Sequence, residues 1–441
     1  MQETPPVTAP PGSSEGVSSG AYGDGTAGAL RAGAVVLGGT LVVAFANYGF
    51  QLITARGLGP GDFGALSSLL ALMMIVSLPF GAVQLLAARG VASSKASADE
   101  QGVREITATI ALATALAALV IGGGIILFSP VIASGLQISG WMPIALTGLV
   151  VCLFIFATAP MGAVQGAQRF TTFSIAPVVG GVARLLVVVA LLAIGMTLSG
   201  VLWACVVGGI LGTLVPLWSI RHWLRGAHLQ LLRSISKVMP GFWPITIGLI
   251  AIAVLPNVDI IIIKGALAPE ETGQFGAAGV VAKIALFVPA AIIPVLQSRV
   301  SRRSARGQGA GDILWRSTLV TVAFGGAFTI GCLILGDWII SFFFGAAYAE
   351  AASILPLYSL AMTLVSVATL QVNYHLTQGR YRIAFIAFAV AVGQAVALIL
   401  FHTTLREVLI VDIIAASVLI ALHEVLVLST WRGRHRGNPA T

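Results

Sequence analysis

Apolar runs of about twenty residues recur along this chain, and they constrain its fold more than any other feature. A helix needs about 20 apolar residues to cross the hydrocarbon of a bilayer. Runs of that size lie near 33–55, 65–88, 106–128, 142–164, 174–194 and 200–220, and again near 242–263, 274–297, 317–336, 354–376, 383–401 and 408–428. Lipid offers no partner to a backbone N–H or C=O, so each run must satisfy its own groups as a helix. The sequence therefore predicts an all-α membrane protein of about twelve transmembrane helices. Charge content agrees. Charged residues make up 9% of the chain, against roughly 25% in soluble domains, too few to coat a soluble surface of this size.

The charges that do occur gather between the runs, and their placement predicts orientation. With the N-terminus in the cytoplasm, the inner segments hold 19 Lys and Arg and the outer segments hold three, Arg56, Lys264 and Arg406. Arg184 and Lys283 lie inside spans. Such a bias follows the positive-inside rule and supports an even number of spans, with both termini expected on the cytoplasmic side of the plasma membrane. The net charge of +8 therefore reads as anchoring. Nucleic-acid binders cluster basic residues on one folded surface, and no nucleic-acid partner is expected. Residues 1–31 are rich in Pro, Gly, Ser and Thr and read as a disordered cytoplasmic tail. They lack the basic start and short apolar core of a signal peptide.

The chain also repeats itself. Leu58, Pro60 and Gly64 match Leu267, Pro269 and Gly273 at a shift of 209 residues. Pro79 and Arg89 match Pro289 and Arg299 at a shift of 210, and Arg169-Phe170 matches Arg380-Tyr381 at 211. Six spans per repeat keep both halves in one orientation, the parallel-repeat plan of many transporters. The expected division is an N-terminal six-helix lobe at 32–228, a C-terminal lobe at 229–431 and a basic cytoplasmic tail at 432–441. The basic stretch near 221–241 would link the lobes.

Motifs for chemistry are missing. The sequence has no P-loop, no HExxH and no Ser/His/Asp arrangement, and no large outer loop to carry catalytic groups. No cofactor, metal or enzymatic activity is expected. Cys152, Cys205 and Cys332 fall singly in apolar runs and read as buried hydrophobes. His222, His228, His423 and His435 read as solvated or interfacial.

The stretch Ala55-Arg56-Gly57-Leu58-Gly59-Pro60-Gly61-Asp62-Phe63-Gly64 resembles the polysaccharide (O-antigen type) flippases of the multidrug/oligosaccharidyl-lipid/polysaccharide exporter superfamily. Its echo from Asp259 through Lys264 to Gly273 and Phe275 does so too, as do Phe344-Gly345-Ala346-Ala347-Tyr348 and Gln378-Gly379-Arg380-Tyr381. The resemblance covers about residues 32–430. It implies a two-lobed bundle of twelve helices working by alternating access. The implied cargo is an oligosaccharide on a polyprenyl diphosphate, with a polysaccharide polymerase and glycosyltransferases as partners beside the membrane lipids.

A charge at the bilayer centre costs roughly 2.5–3.5 kcal/mol on insertion scales, so intramembrane charges are the candidate site. Arg184 and Lys283 are expected to face a cavity between the lobes and attract a diphosphate. The alternatives are snorkelling or a pair with Asp259. Asp259 is the candidate for a coupling proton or sodium ion, against a salt bridge to Lys264 or Lys283. Asn47 and Gln51 share a face of the first helix and can bond sugar hydroxyls or a neighbouring helix. Gln371, Asn373 and His375 cluster near the inner end of the tenth span as a possible headgroup contact. Asp412 and Glu424 lie near opposite ends of the last span, where snorkelling suffices. Arg89 and Arg299 read as topology anchors, and Gly208 and Gly212 as a packing motif. The functional expectation is a flippase. Its rivals are a drug/cation antiporter of the same superfamily, a membrane polymerase or glycosyltransferase, and a non-transporting scaffold of a polysaccharide assembly complex.

Overall fold

The structure is a computed structural model, and it describes residues 21–224, 242–306 and 308–436. The lobe boundary at 228–229, the linker residues Arg225, Arg233 and Lys237, and His228 lie outside these. So do most of the N-terminal tail and the end of the basic C-terminal tail.

Helices run in the order α1 (Ala21–Ser77), α2 (Gly81–Ala96), α3 (Glu100–Leu127), α4 (Ser129–Gly135), α5 (Met142–Gly166), α6 (Phe170–Ile194) and α7 (Leu198–Ile220). The second half holds α8 (Phe242–Val254), α9 (Val258–Ala266), α10 (Pro269–Ala282), α11 (Phe287–Ala305), α12 (Gly311–Phe343), α13 (Ala351–Thr377), α14 (Arg382–Leu400) and α15 (Leu405–Arg436). Among the described residues, ten continuous segments are long and apolar enough to cross a membrane, and the bent pair α8–α9 is an eleventh. One of the ten, Leu37–Ala96, is 60 residues long, about three times what a single crossing needs. It turns at Gly59, where φ is 74° and ψ is 173°. Only glycine takes that conformation without strain, and Pro60 then starts the next helix from a position that needs no N–H partner. Divided there, the segment gives two spans, and the described residues then hold the twelve spans expected from the apolar runs.

Each lobe packs on itself. In the first, α3 lies against α5, α6 against α7, and α1 against α6; in the second, α12 lies against α13, α13 against α15, and α8 against α14. Both second spans are broken by short 3-10 segments, Leu78–Phe80 and Lys283–Leu286. Pro79 supplies the break in the first, since it lacks an N–H to donate. Gly208 and Gly212 pack α7 onto α6: a methyl carbon added at Gly208 would lie 2.5 Å from the Gly180 carbonyl oxygen. The pair thus serves contact within the lobe, as its spacing suggested.

The lobes meet where α1 crosses α10, and the repeat explains how. A methyl carbon at Gly64 would stand 2.7 Å from the Gly273 nitrogen, and one at Gly273 would stand 2.0 Å from the Pro60 oxygen. Gly64 and Gly273 are repeat equivalents, so each element touches its own counterpart. Self-complementary contact of this kind marks a two-fold axis. The contact lies at the end of the bundle opposite the arginine-rich one. There Tyr348 donates to the Ala55 carbonyl at 2.6 Å, Gln137 donates to the Gly265 carbonyl at 2.9 Å, and Arg56 donates to the Phe342 carbonyl. Phe63 stacks edge-on against Tyr348 at 5.9 Å. The sequence motifs Ala55–Gly64 and Phe344–Tyr348 therefore clasp one lobe to the other at this end.

Candidate functional site

A cavity of about 550 Å³ lies in the N-terminal lobe, lined by α1, α2, α5, α6 and α7. Every lining residue falls between Val43 and Thr213. Arg184 is the only formally charged one, and Asn47, Gln51 and Gln84 are its amides. The Arg184 guanidinium donates to the Asn47 carboxamide oxygen and lies 4.2 Å from the centre of the Phe50 ring. An asparagine oxygen and an aromatic face hold a cation without neutralising it. The remaining wall is apolar and includes Met73, Met74 and Met161, whose flexible side chains adapt to varied shapes. Such a chamber suits a bulky ligand with one anionic group.

The structure brings together Arg184, Asn47 and Gln51, but in a chamber of one lobe and not in a cleft between lobes. Lys283 takes no part in it. Its ammonium group donates to Asn257 Oδ1 at 2.9 Å, within the C-terminal lobe. Asn373 also stands apart, its amide spent on the Thr369 carbonyl of its own helix at 2.9 Å.

Asp259 is fully buried. Its Oδ2 accepts from the Tyr358 hydroxyl at 2.9 Å, and its Oδ1 from the Ile260 backbone N–H at 2.7 Å. No lysine lies within ion-pair distance of it among the described residues, so neither expected salt bridge forms. Its carboxyl adjoins that of Asp412. Asp412 is 1% exposed, which overturns the snorkelling reading: it points inward to accept from Gln394 at 2.8 Å. Gln394 also donates to the Leu255 carbonyl at 3.0 Å. That carbonyl is free because the seventh span bends by 50° between α8 and α9, which interrupts the helical ladder.

Tyr358, Asn257 and Gln394 are the participants that the sequence reading missed, and Asp412 is the one that it placed at the membrane surface. Gln394 had a signal, as the sole strongly polar residue in the middle of α14. Asn257 had another, directly after Pro256. Nearer the basic end, Gln371 donates to Glu424 at 3.3 Å, and the His375 and His423 rings meet edge-on at 5.0 Å. His423 is 2% exposed, a buried group where an interfacial one was expected, because α15 turns that face onto α13.

Two like-oriented lobes clasped at one end, with a chamber in the first whose wall carries one charge and three amides, define a multi-pass membrane protein with a MATE-like fold. The structure is similar to that of an inward-facing multidrug resistance MATE family transporter of the MOP superfamily, with a TM-score of 0.69 and 12% identity over 88% of this chain and 96% of that one. A eukaryotic MATE transporter follows with a TM-score of 0.66 and 14% identity over 90% and 96%. An outward-facing MATE structure gives 0.60 and 12% over 91% and 95%. These likenesses concern the fold. No curated protein sequence matches the chain. The chain belongs to the polysaccharide biosynthesis protein family, whose profile matches residues 29–300. That match covers Arg184, Asp259 and Lys283.

Proposed function

We propose that this protein moves a polyprenyl-diphosphate-linked oligosaccharide across the plasma membrane by alternating access, for assembly of a cell-surface polysaccharide. The observation that carries the reading is the N-terminal chamber, whose one formal charge is the Arg184 guanidinium, with amides beside it. A guanidinium matches phosphate oxygens with paired hydrogen bonds, and amides suit sugar hydroxyls. The family membership supports a polysaccharide substrate, and the arginine-rich end is taken as cytoplasmic on the positive-inside rule. Fold and family favour transport over catalysis. A polymerase and glycosyltransferases would act on the cargo before and after it crosses.

The buried carboxyl pair of Asp259 and Asp412 is the proposed coupling site, for a proton or a sodium ion. Asp412 Oδ2 has no hydrogen-bond donor among the described residues, and its neighbour is another carboxyl. A proton or a metal cation between the two would complete the bonding. The same pair favours a second reading, a cation-coupled drug antiporter, but a cationic chamber is ill suited to cationic drugs.

The test is the lipid-linked oligosaccharide pool in cells depleted of the protein, assayed for the membrane face it occupies. A build-up confined to the cytoplasmic face, reversed by the wild type and not by Arg184→Gln, is expected. An unchanged pool with altered sensitivity to cationic drugs would replace the flippase by the antiporter.

A further inference from the structure

A second cavity, of about 410 Å³, lies at the basic end between the last turns of α11 and the first turns of α12. It is lined by Arg299, Arg302, Arg303, Arg306 and Arg316, with Asp312 as the single carboxylate. The first four follow the spacing i, i+3, i+4, i+7 and so share one helix face. Like charges at that spacing destabilise a helix. The helix dipole offsets this for cations in the last turn, which here means Arg302 and Arg303. It gives nothing to Arg299, further back, or to Arg316, which lies toward the N-terminal side of α12. Topology needs a number of positive charges on one side of the membrane. It does not need them converging on one hollow from two helices.

Partners within the protein use little of this charge. Arg303 pairs with Asp312 at 2.5 Å, and Arg302 reaches only the Ser298 carbonyl of its own helix at 3.4 Å. Arg299, Arg306 and Arg316 have no hydrogen bond or ion pair among the described residues. The surroundings fix the depth. Trp315 beside Arg316 is 67% exposed, as suits a ring at the membrane–water interface. Buried Leu296, Val300, Ala310 and Leu314 form an apolar cluster beneath. Four uncompensated guanidinium groups therefore sit at headgroup level, next to hydrocarbon.

We propose that this cavity binds the phosphate-bearing headgroup of a membrane lipid. Arginine forks take phosphate oxygens in pairs, and a lipid alone brings that anion to this depth with its acyl or prenyl chain already in the bilayer. Two sources share the chemistry: the phosphodiester of an anionic phospholipid and the diphosphate of a polyprenyl carrier. The site is separate from the Arg184 chamber and does not depend on the transport reading.

The full-length protein, purified in a neutral detergent, is titrated with phosphatidylglycerol, phosphatidylcholine or a polyprenyl diphosphate, and retained lipid is counted by native mass spectrometry. At least one of the two anionic lipids should be retained about tenfold better than phosphatidylcholine, the scale expected of several arginines near a headgroup. Replacing Arg299, Arg302, Arg306 and Arg316 together by Gln, in an Arg184→Gln background that removes the chamber's own hold on a diphosphate, should bring the ratio close to one, against the ratio that Arg184→Gln alone shows. Loss confined to phosphatidylglycerol assigns the site to bulk phospholipid, and loss confined to the diphosphate assigns it to the carrier; both uphold the proposal. A wild type without preference, or a preference that survives the four substitutions, overturns it. Should the fourfold variant not purify as a monodisperse species, Arg302→Gln and Arg316→Gln decide singly, each with a severalfold loss expected.

Discussion

Asn47 in the first span and Asn257 in the seventh stand 210 residues apart, and each accepts a hydrogen bond from a cation. In the N-terminal lobe that cation is Arg184, from the fifth span. In the C-terminal lobe it is Lys283, from the eighth. The position equivalent to Arg184 at the same shift is Gln394, which binds Asp412 and the Leu255 carbonyl. One helical plan therefore encloses two interiors. The first is a chamber with a cation at its wall; the second is closed over a polar network containing two carboxyls. A duplicated fold can assign cargo to one lobe and coupling to the other because the two interiors are independent packings of the same scaffold.

The sharpest way to break the comparison is to remove the two cations in turn. Arg184→Gln should lower transport by about one to two orders of magnitude, the loss of a charge-assisted pair worth roughly 1.5–3 kcal/mol, and weaken binding of the diphosphate headgroup. Lys283→Gln should leave headgroup binding within about twofold of wild type, since it touches only the C-terminal network. Equal loss of headgroup binding in both variants would show that the division of labour is false. Next in size, Asp412→Asn should uncouple transport from the proton or sodium gradient while cargo still binds. Its amide cannot share a proton with Asp259. Transport that keeps its full gradient dependence in proteoliposomes would remove the coupling role.

A third prediction concerns the clasp between the lobes. Gly273→Ala adds a methyl group 2.0 Å from the Pro60 oxygen, and such overpacking costs typically about 1–3 kcal/mol. The clasped state should lose population severalfold, read as weaker cross-linking between cysteines placed at positions 61 and 270. Cross-linking at the wild-type level would mean that the contact tolerates a side chain. The smallest effect is expected at Asn373. Its amide bonds only to its own helix, so Asn373→Ala should change transport by less than about twofold, a surface-scale substitution. A large loss would return it to the substrate path.

The fold was legible at the level of spans. Twelve apolar runs became twelve helical crossings, and the glycines that keep register between the repeats proved to sit on the axis between lobes. Arg184 was legible as well, since an arginine inside a span demands a cavity or a partner. Asp412 was not. Its distance from the end of the last run suggested snorkelling, yet Gln394 and Asp259 wait for it inside the lobe. Depth along a helix follows from sequence position, but the direction a side chain faces depends on how that helix is rotated against its neighbours.

The sequence by itself determined the number of crossings and the repeat, because hydrophobic length acts along the chain, one span at a time. The tertiary structure decided which polar groups meet. Partners such as Tyr358 and Asp259, 99 residues apart, are joined by helix packing, and packing is set by side-chain shape across the bundle. That is why Arg184 lines a chamber and Lys283 closes a network, although both first appear as a lone cation in an apolar run.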